Sequence, residues 1–167
     1  MIEYHVVFVA LLAGTEAFFT ALTVLNLRHG DRTLDRERKW VEETLGIDDV
    51  GELADYHRAT TGFSSLRAWV GIGATLVVLY SGVFREAVLA VRPLGLGPWA
   101  EGVVFLVGVL VVVQVFSWPF DAVDTFVVED IFGFNEQSPR LWLRDQLMGV
   151  VVTVAIASVL VGVLVGR

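Results

Sequence analysis

The chain has 167 residues, 55% of them hydrophobic and 19% charged, with a formal net charge of −7. It contains no cysteine, which excludes disulfides and thiolate metal sites, and its acidic balance argues against nucleic acid as a partner. Lys39 is its single lysine, and an acidic, lysine-poor surface suits high-salt surroundings and a halophilic source.

Four segments, residues 6–27, 68–91, 102–118 and 147–166, are apolar for roughly the 20 residues that a membrane crossing needs. A chain of this length has no core large enough to hide four helices that are hydrophobic all round. The expected fold is therefore all-α: an integral membrane bundle of four transmembrane helices with a helical cytoplasmic connection. Residues 1–167 are read as one transmembrane domain, with the lipid bilayer as its solvent.

The first segment starts with Glu3 and no basic residue, and it is too long for the apolar region of a signal peptide, so it is read as a span. Glu16 lies near its middle, where an ionised carboxylate is expensive unless partnered or wet. Thr20, Thr23 and Asn26 follow at helical steps and share a stripe with Glu16. That stripe suits a helix-packing face or the lining of an aqueous chamber. A small transporter using Glu16 as an ion relay is a third reading.

In the connection that follows, "DRTLDRERKWVEETLG" is expected to form a helix with Thr33 as its N-cap and Gly46 as its stop. "DVGELADYHRAT" opens with Asp49 and Glu52 at capping-box spacing. Together they predict a helical hairpin at the membrane surface, either solvated or a docking surface for another domain. The second connection, "RPLGLGPWAE", has turn chemistry, and Trp99 suits the membrane interface.

Within the third span Gln114 is polar. In the fourth, Thr153 is polar and Ser158, Gly162 and Gly166 form a small-residue packing face. Nine basic residues lie in the first and third connections against three on the other side, which predicts an outside N-terminus and cytoplasmic first and third connections. His5 and His29 would stand about 36 Å apart on a helix, and His57 is alone, so the chain by itself is expected to bind no metal.

The third connection contains "TFVVEDIFGFNEQS", residues 125–138, a loop with three phenylalanines among carboxylates. Gly133 is expected to end a helix in a left-handed conformation, and Ser138-Pro139 to begin the next as N-cap and first helical residue. Phe126, Phe132 and Phe134 are then free to bury against neighbouring helices, leaving Glu129 and Asn135 as the polar groups of the turn.

The stretch from Pro119 to Leu147 resembles the membrane-domain signature of the CAAX prenyl proteases, a family of integral-membrane zinc metallopeptidases. Pro119, Phe120, Thr125, Phe126, Glu129, Gly133, Phe134, Asn135 and Asp145 follow its order. Tyr56, Arg58, Phe63 and Ser64 match the segment before the family's second span. The zinc motif HExxH is not in this chain, Glu136 stands where the family tends to be basic, and Met148 stands where a lysine is frequent.

The resemblance implies the N-terminal membrane domain of a zinc metalloendopeptidase, forming part of an intramembrane chamber and bracing the catalytic site. Glu129, Asn135, Thr125, Phe134 and Asp145 would be bracing or substrate-facing, and Glu16, Thr20, Thr23 and Asn26 chamber-lining. No catalytic or metal-ligating residue is assigned here. Zinc, a C-terminal metallopeptidase domain and a peptide or prenylated peptide substrate are implied for the complete enzyme. A non-catalytic membrane scaffold is the alternative.

Overall fold

The computed structural model of the chain describes residues 2–45 and 50–165. Among them there is no strand, and four helices are long and apolar enough to cross a membrane. Gly46, Asp49 and Gly166, expected as a helix stop, a cap and a packing position, lie outside the described residues.

The long elements are α1 (Ile2–Leu45), α2 (Val50–Tyr80), α4 (Pro98–Val123) and α6 (Pro139–Val165). Between them come α3 (Val83–Val91), a single 3₁₀ turn at Arg92–Leu94, a π-helical turn at Asp124–Val128, and the short α5 (Glu129–Ile131). The residues group into two compact units: Met1–Thr75 with Val127–Phe134, and Leu76–Phe126 with Asn135–Arg167.

Three expectations change. The helical hairpin of the first connection is not a separate element, because α1 and α2 each run unbroken from the polar connection into the apolar segment. No proline interrupts either, and an isolated glycine such as Gly30 costs a helix only about 1 kcal/mol. Thr33 is not an N-cap: it sits inside α1 and its hydroxyl donates to the His29 carbonyl at 2.9 Å. The segment 68–91 is likewise not one helix, since α2 ends at Tyr80 and the chain turns at Gly82, whose φ of 83° is left-handed and easy only for glycine.

In the first unit, α1 turns one stripe inward. Val9, Ala13, Glu16, Thr20, Thr23 and Leu27 are half-buried, whereas Asn26 is exposed and lies off that stripe. The Trp69 indole N–H of α2 donates to the Thr20 hydroxyl at 3.1 Å.

In the second unit, α4 packs along α6 and α3 packs on α4, with Phe84 edge-on to Phe105 at 5.2 Å. Glycine sets how near α4 and α6 approach. A Cβ at Gly149 would lie 2.9 Å from the Gln114 amide nitrogen, and one at Gly162 would lie 3.3 Å from the Trp99 ring. The Trp99 indole N–H donates to the Gly162 carbonyl at 2.9 Å, so the tryptophan expected at the interface also ties α4 to α6. This is close packing through small residues, the means of helix association where lipid supplies no hydrophobic drive.

Val50, Val107 and Ala157 are the buried apolar side chains among the described residues. Most other large apolar side chains face outward, an arrangement suited to hydrocarbon and untenable in water.

Gly149→Leu is expected to lower the detergent-state unfolding free energy by about 1–3 kcal/mol through overpacking. Adding Gln114→Ala should restore part of that loss by vacating the space. Thermal unfolding followed by circular dichroism measures both, and equal losses for the single and double variants would contradict the contact.

Candidate functional site

Residues 125–138 were expected to form a loop, and the first half of them does not. Helix α4 runs through Pro119, whose ring nitrogen has no hydrogen to give the carbonyl four residues back. It continues to Val123 and widens into the π-helical turn Asp124–Val128, and α5 follows directly. Thr125 and Phe126 are therefore helical, and irregular backbone is confined to residues 132–138.

That turn ends in a Schellman motif. Gly133 has φ of 71°, the Gly133 N–H donates to Asp130 O at 3.1 Å, and the Phe134 N–H donates to Glu129 O at 2.9 Å. The two bonds satisfy carbonyls that a helix end would leave bare. The left-handed stop anticipated at Gly133 is present.

In the first unit the turn meets α2. Tyr56 stands edge-on to Phe132 at 5.4 Å and to Phe134 at 4.8 Å between ring centroids. Such pairs contribute roughly 0.5–1.5 kcal/mol each beyond their buried area. Two residues along α2, Arg58 donates from Nε and Nη2 to one oxygen of Asp31 at 3.0 and 2.8 Å, and from Nη1 to Asp55 at 2.6 Å. The bridge to Asp31 fastens α2 to α1 across 27 residues of sequence. The hydrogen bond to Asp31, followed by the charges of Asp31 and Asp55, raises the already high proton affinity of the Arg58 guanidinium.

In the second unit, the Asn135 Oδ1 accepts the Gln137 backbone N–H at 2.9 Å. The Gln137 side-chain amide donates to Asp145 Oδ2, also at 2.9 Å. Ser138 caps α6, its Oγ accepting the Leu141 N–H at 3.3 Å, with Pro139 as first helical residue as expected. Phe126 and Trp118 both stand edge-on to Trp142, at 5.9 and 6.4 Å.

Of the residues singled out in the sequence, Phe134 meets Tyr56, and Asn135 and Asp145 both engage Gln137. Glu129 and Glu16 are half-buried, and their carboxylates have no hydrogen-bond or ion-pair partner among the described residues. Thr20 is engaged by Trp69. The links through Asp31, Trp69 and Gln137 were missed. Asp31 and Trp69 form pairs far apart in sequence, and Gln137 carries no motif of its own. Among the described residues no three His, Cys, Asp or Glu side chains gather as a metal site would require.

Comparison with known proteins places these features in a family. The family described as "CAAX prenyl protease N-terminal, five membrane helices" matches residues 36–166. A "CAAX prenyl protease 1 homolog" from Arabidopsis thaliana is 31% identical over 110 residues, covering 62% of this chain and 26% of that protein. A protein of the same description from Oryza sativa subsp. japonica is 33% identical over 61 residues, covering 36% of this chain and 14% of its own length. The matches thus span about a quarter or less of the curated relatives. No solved structure matches. The chain belongs to the CAAX prenyl protease N-terminal family and is a multi-pass membrane protein.

Tyr56→Ala is expected to lower unfolding free energy by about 1–3 kcal/mol through its two ring contacts. Arg58→Ala should cost less than Tyr56→Ala, because its ion pairs are solvent-exposed. Limited proteolysis should also cut the 132–138 segment faster in Tyr56→Ala. Identical cleavage in both variants would show that Tyr56 does not hold the turn.

Proposed function

We propose that this chain is the N-terminal membrane part of a zinc metalloendopeptidase. Its helices would border an intramembrane chamber, and the segment from Thr125 to Asp145 would brace a catalytic site completed by residues outside this chain. Membership of the family supports the reading. The observation that carries it is the double anchoring of the aromatic turn by a Schellman motif and by Tyr56. A turn fixed from two sides gives a neighbouring active site a rigid wall, which positioning requires.

No catalytic step is assigned to the described residues, among which no three His, Cys, Asp or Glu side chains gather. Zinc would be held by the metallopeptidase domain. Peptides, prenylated ones among them, are the proposed substrate class, in line with the names of the curated relatives. Asn135 shapes the loop through its bond to the Gln137 N–H and would act on the site through backbone position. Glu129, its carboxylate half-buried and without a partner among the described residues, is the better candidate to orient a group from the proposed metallopeptidase domain. Glu16, Thr20 and Thr23 would face the chamber, with Asn26 off their stripe. The excess of basic residues in the first and third connections supports a cytoplasmic position for this segment and an outside N-terminus.

In an enzyme that joins this chain to the metallopeptidase domain, Glu129→Gln should reduce peptide cleavage roughly ten- to a hundredfold, the usual effect of losing an orienting partner. Asn135→Ala should reduce it while leaving helicity and membrane insertion intact. Full activity in both variants would reject the bracing role.

Orientation is tested separately by single cysteines in intact cells. Asp35→Cys should resist an impermeant thiol reagent and Gly97→Cys should react. The reverse pattern would invert the topology.

A further inference from the structure

The first three turns of α6 carry a stripe whose side chains are neither matched to the family signature nor named as bracing residues. Arg140, Leu143, Arg144, Leu147, Met148 and Val151 line one open groove of about 350 Å³. Their spacing, alternating steps of three and one, is that of a single helical face. The two arginines head the groove one turn apart with Leu143 between them, and Leu147, Met148 and Val151 continue below. Neither arginine has a hydrogen-bond or ion-pair partner among the described residues, in a chain whose net charge is −7.

We propose that this groove binds one anionic glycerophospholipid of the surrounding bilayer, its phosphate held by Arg140 and Arg144 and one acyl chain laid along Leu143, Leu147, Met148 and Val151. Two basic side chains one turn apart, about 6 Å along the helix, place two positive charges within reach of one phosphate. From Leu143 to Val151 the apolar floor rises about 12 Å, most of the roughly 15 Å of one hydrocarbon leaflet. The groove therefore accommodates most of one acyl chain beneath a charged head. The nearby acids do not fill the arginines' role. Asp145 is bonded to Gln137, and Glu136 is exposed on the loop before the helix. The preference for a phosphate follows from the charge, and the preference for a lipid over a free anion follows from the apolar floor. The inference rests on neither the protease reading nor the orientation.

The test uses the chain in nanodiscs of phosphatidylcholine doped with phosphatidylglycerol, with retained lipids counted by native mass spectrometry. One phosphatidylglycerol should stay bound in preference to phosphatidylcholine. Each of Arg140→Gln and Arg144→Gln should weaken retention about fivefold, the effect of one basic residue near an anionic surface. The pair Arg140→Lys and Arg144→Lys should keep most of it, and Val151→Trp should weaken it by filling the groove. Millimolar inorganic phosphate should not displace the lipid. Equal retention of both lipids by the unaltered chain would overturn the proposal without reference to any variant. So would displacement by inorganic phosphate, which would make the site a free-anion site, or retention that survives loss of both arginines.

Discussion

Hydrocarbon offers no hydrogen bonds, and that constraint governs nearly every feature of this chain. A backbone crossing a bilayer must satisfy its own N–H and C=O groups, which leaves long helices as the available solution where, as among the described residues, there is no strand. The polar side chains comply too. Thr75 donates to the Gly71 carbonyl and Ser117 to Val113. Trp69 and Trp99 send their indole N–H groups across to a neighbouring helix. The same pressure explains the passage after Pro119, where the helix widens into a π-helical turn and does not fray. Only at Gly133 does it stop, and there the Schellman bonds cover the exposed carbonyls.

Glycine serves two separate ends under this constraint. At Gly82 and Gly133 the positive φ is what matters, because a side chain would strain the turn. At Gly149 and Gly162 the backbone is ordinary helix, and what matters is the missing Cβ against Gln114 and Trp99. The close approach at Gly149 is also what buries the Gln114 side chain. Its Oε1 and the Trp118 indole nitrogen are buried without a hydrogen-bond partner among the described residues. They lie one turn apart on α4, one an acceptor and the other a donor. Such groups are costly in lipid, so this is where α4 and α6 tolerate an imperfect fit in exchange for proximity.

How much of this was legible in the sequence follows from the range of each interaction. The four spans were plain because lipid makes composition itself the signal, and the all-helical class came with them. Gly133 and Ser138-Pro139 were legible because caps are local chemistry. Thr33 misled for the same reason. A threonine that caps a helix and one that bonds back to the carbonyl four residues earlier are the same residue, and only continuity of the backbone separates them. The bridge from Arg58 to Asp31 and the contact of Tyr56 with Phe132 and Phe134 were beyond reach, since no periodicity links positions so far apart. The family resemblance did point at Tyr56 and Arg58, without saying what they touch.

Met148 joins the sequence to the proposed lipid groove. The resemblance leads to a basic residue at that position, and a lysine there, one turn below Arg144, would carry a third charge down the stripe. Methionine instead lengthens the apolar floor with a flexible, polarisable side chain that adapts to an irregular partner. The charge is then confined to Arg140 and Arg144 at the head of the groove, and everything beneath them is apolar. That division is the one a single phospholipid presents, with one phosphate at the surface and uninterrupted hydrocarbon below. A lysine at 148 would favour a deeper anion or a second headgroup. The departure from the family pattern that is hardest to explain as catalysis therefore has a direct physical account as a contact with lipid.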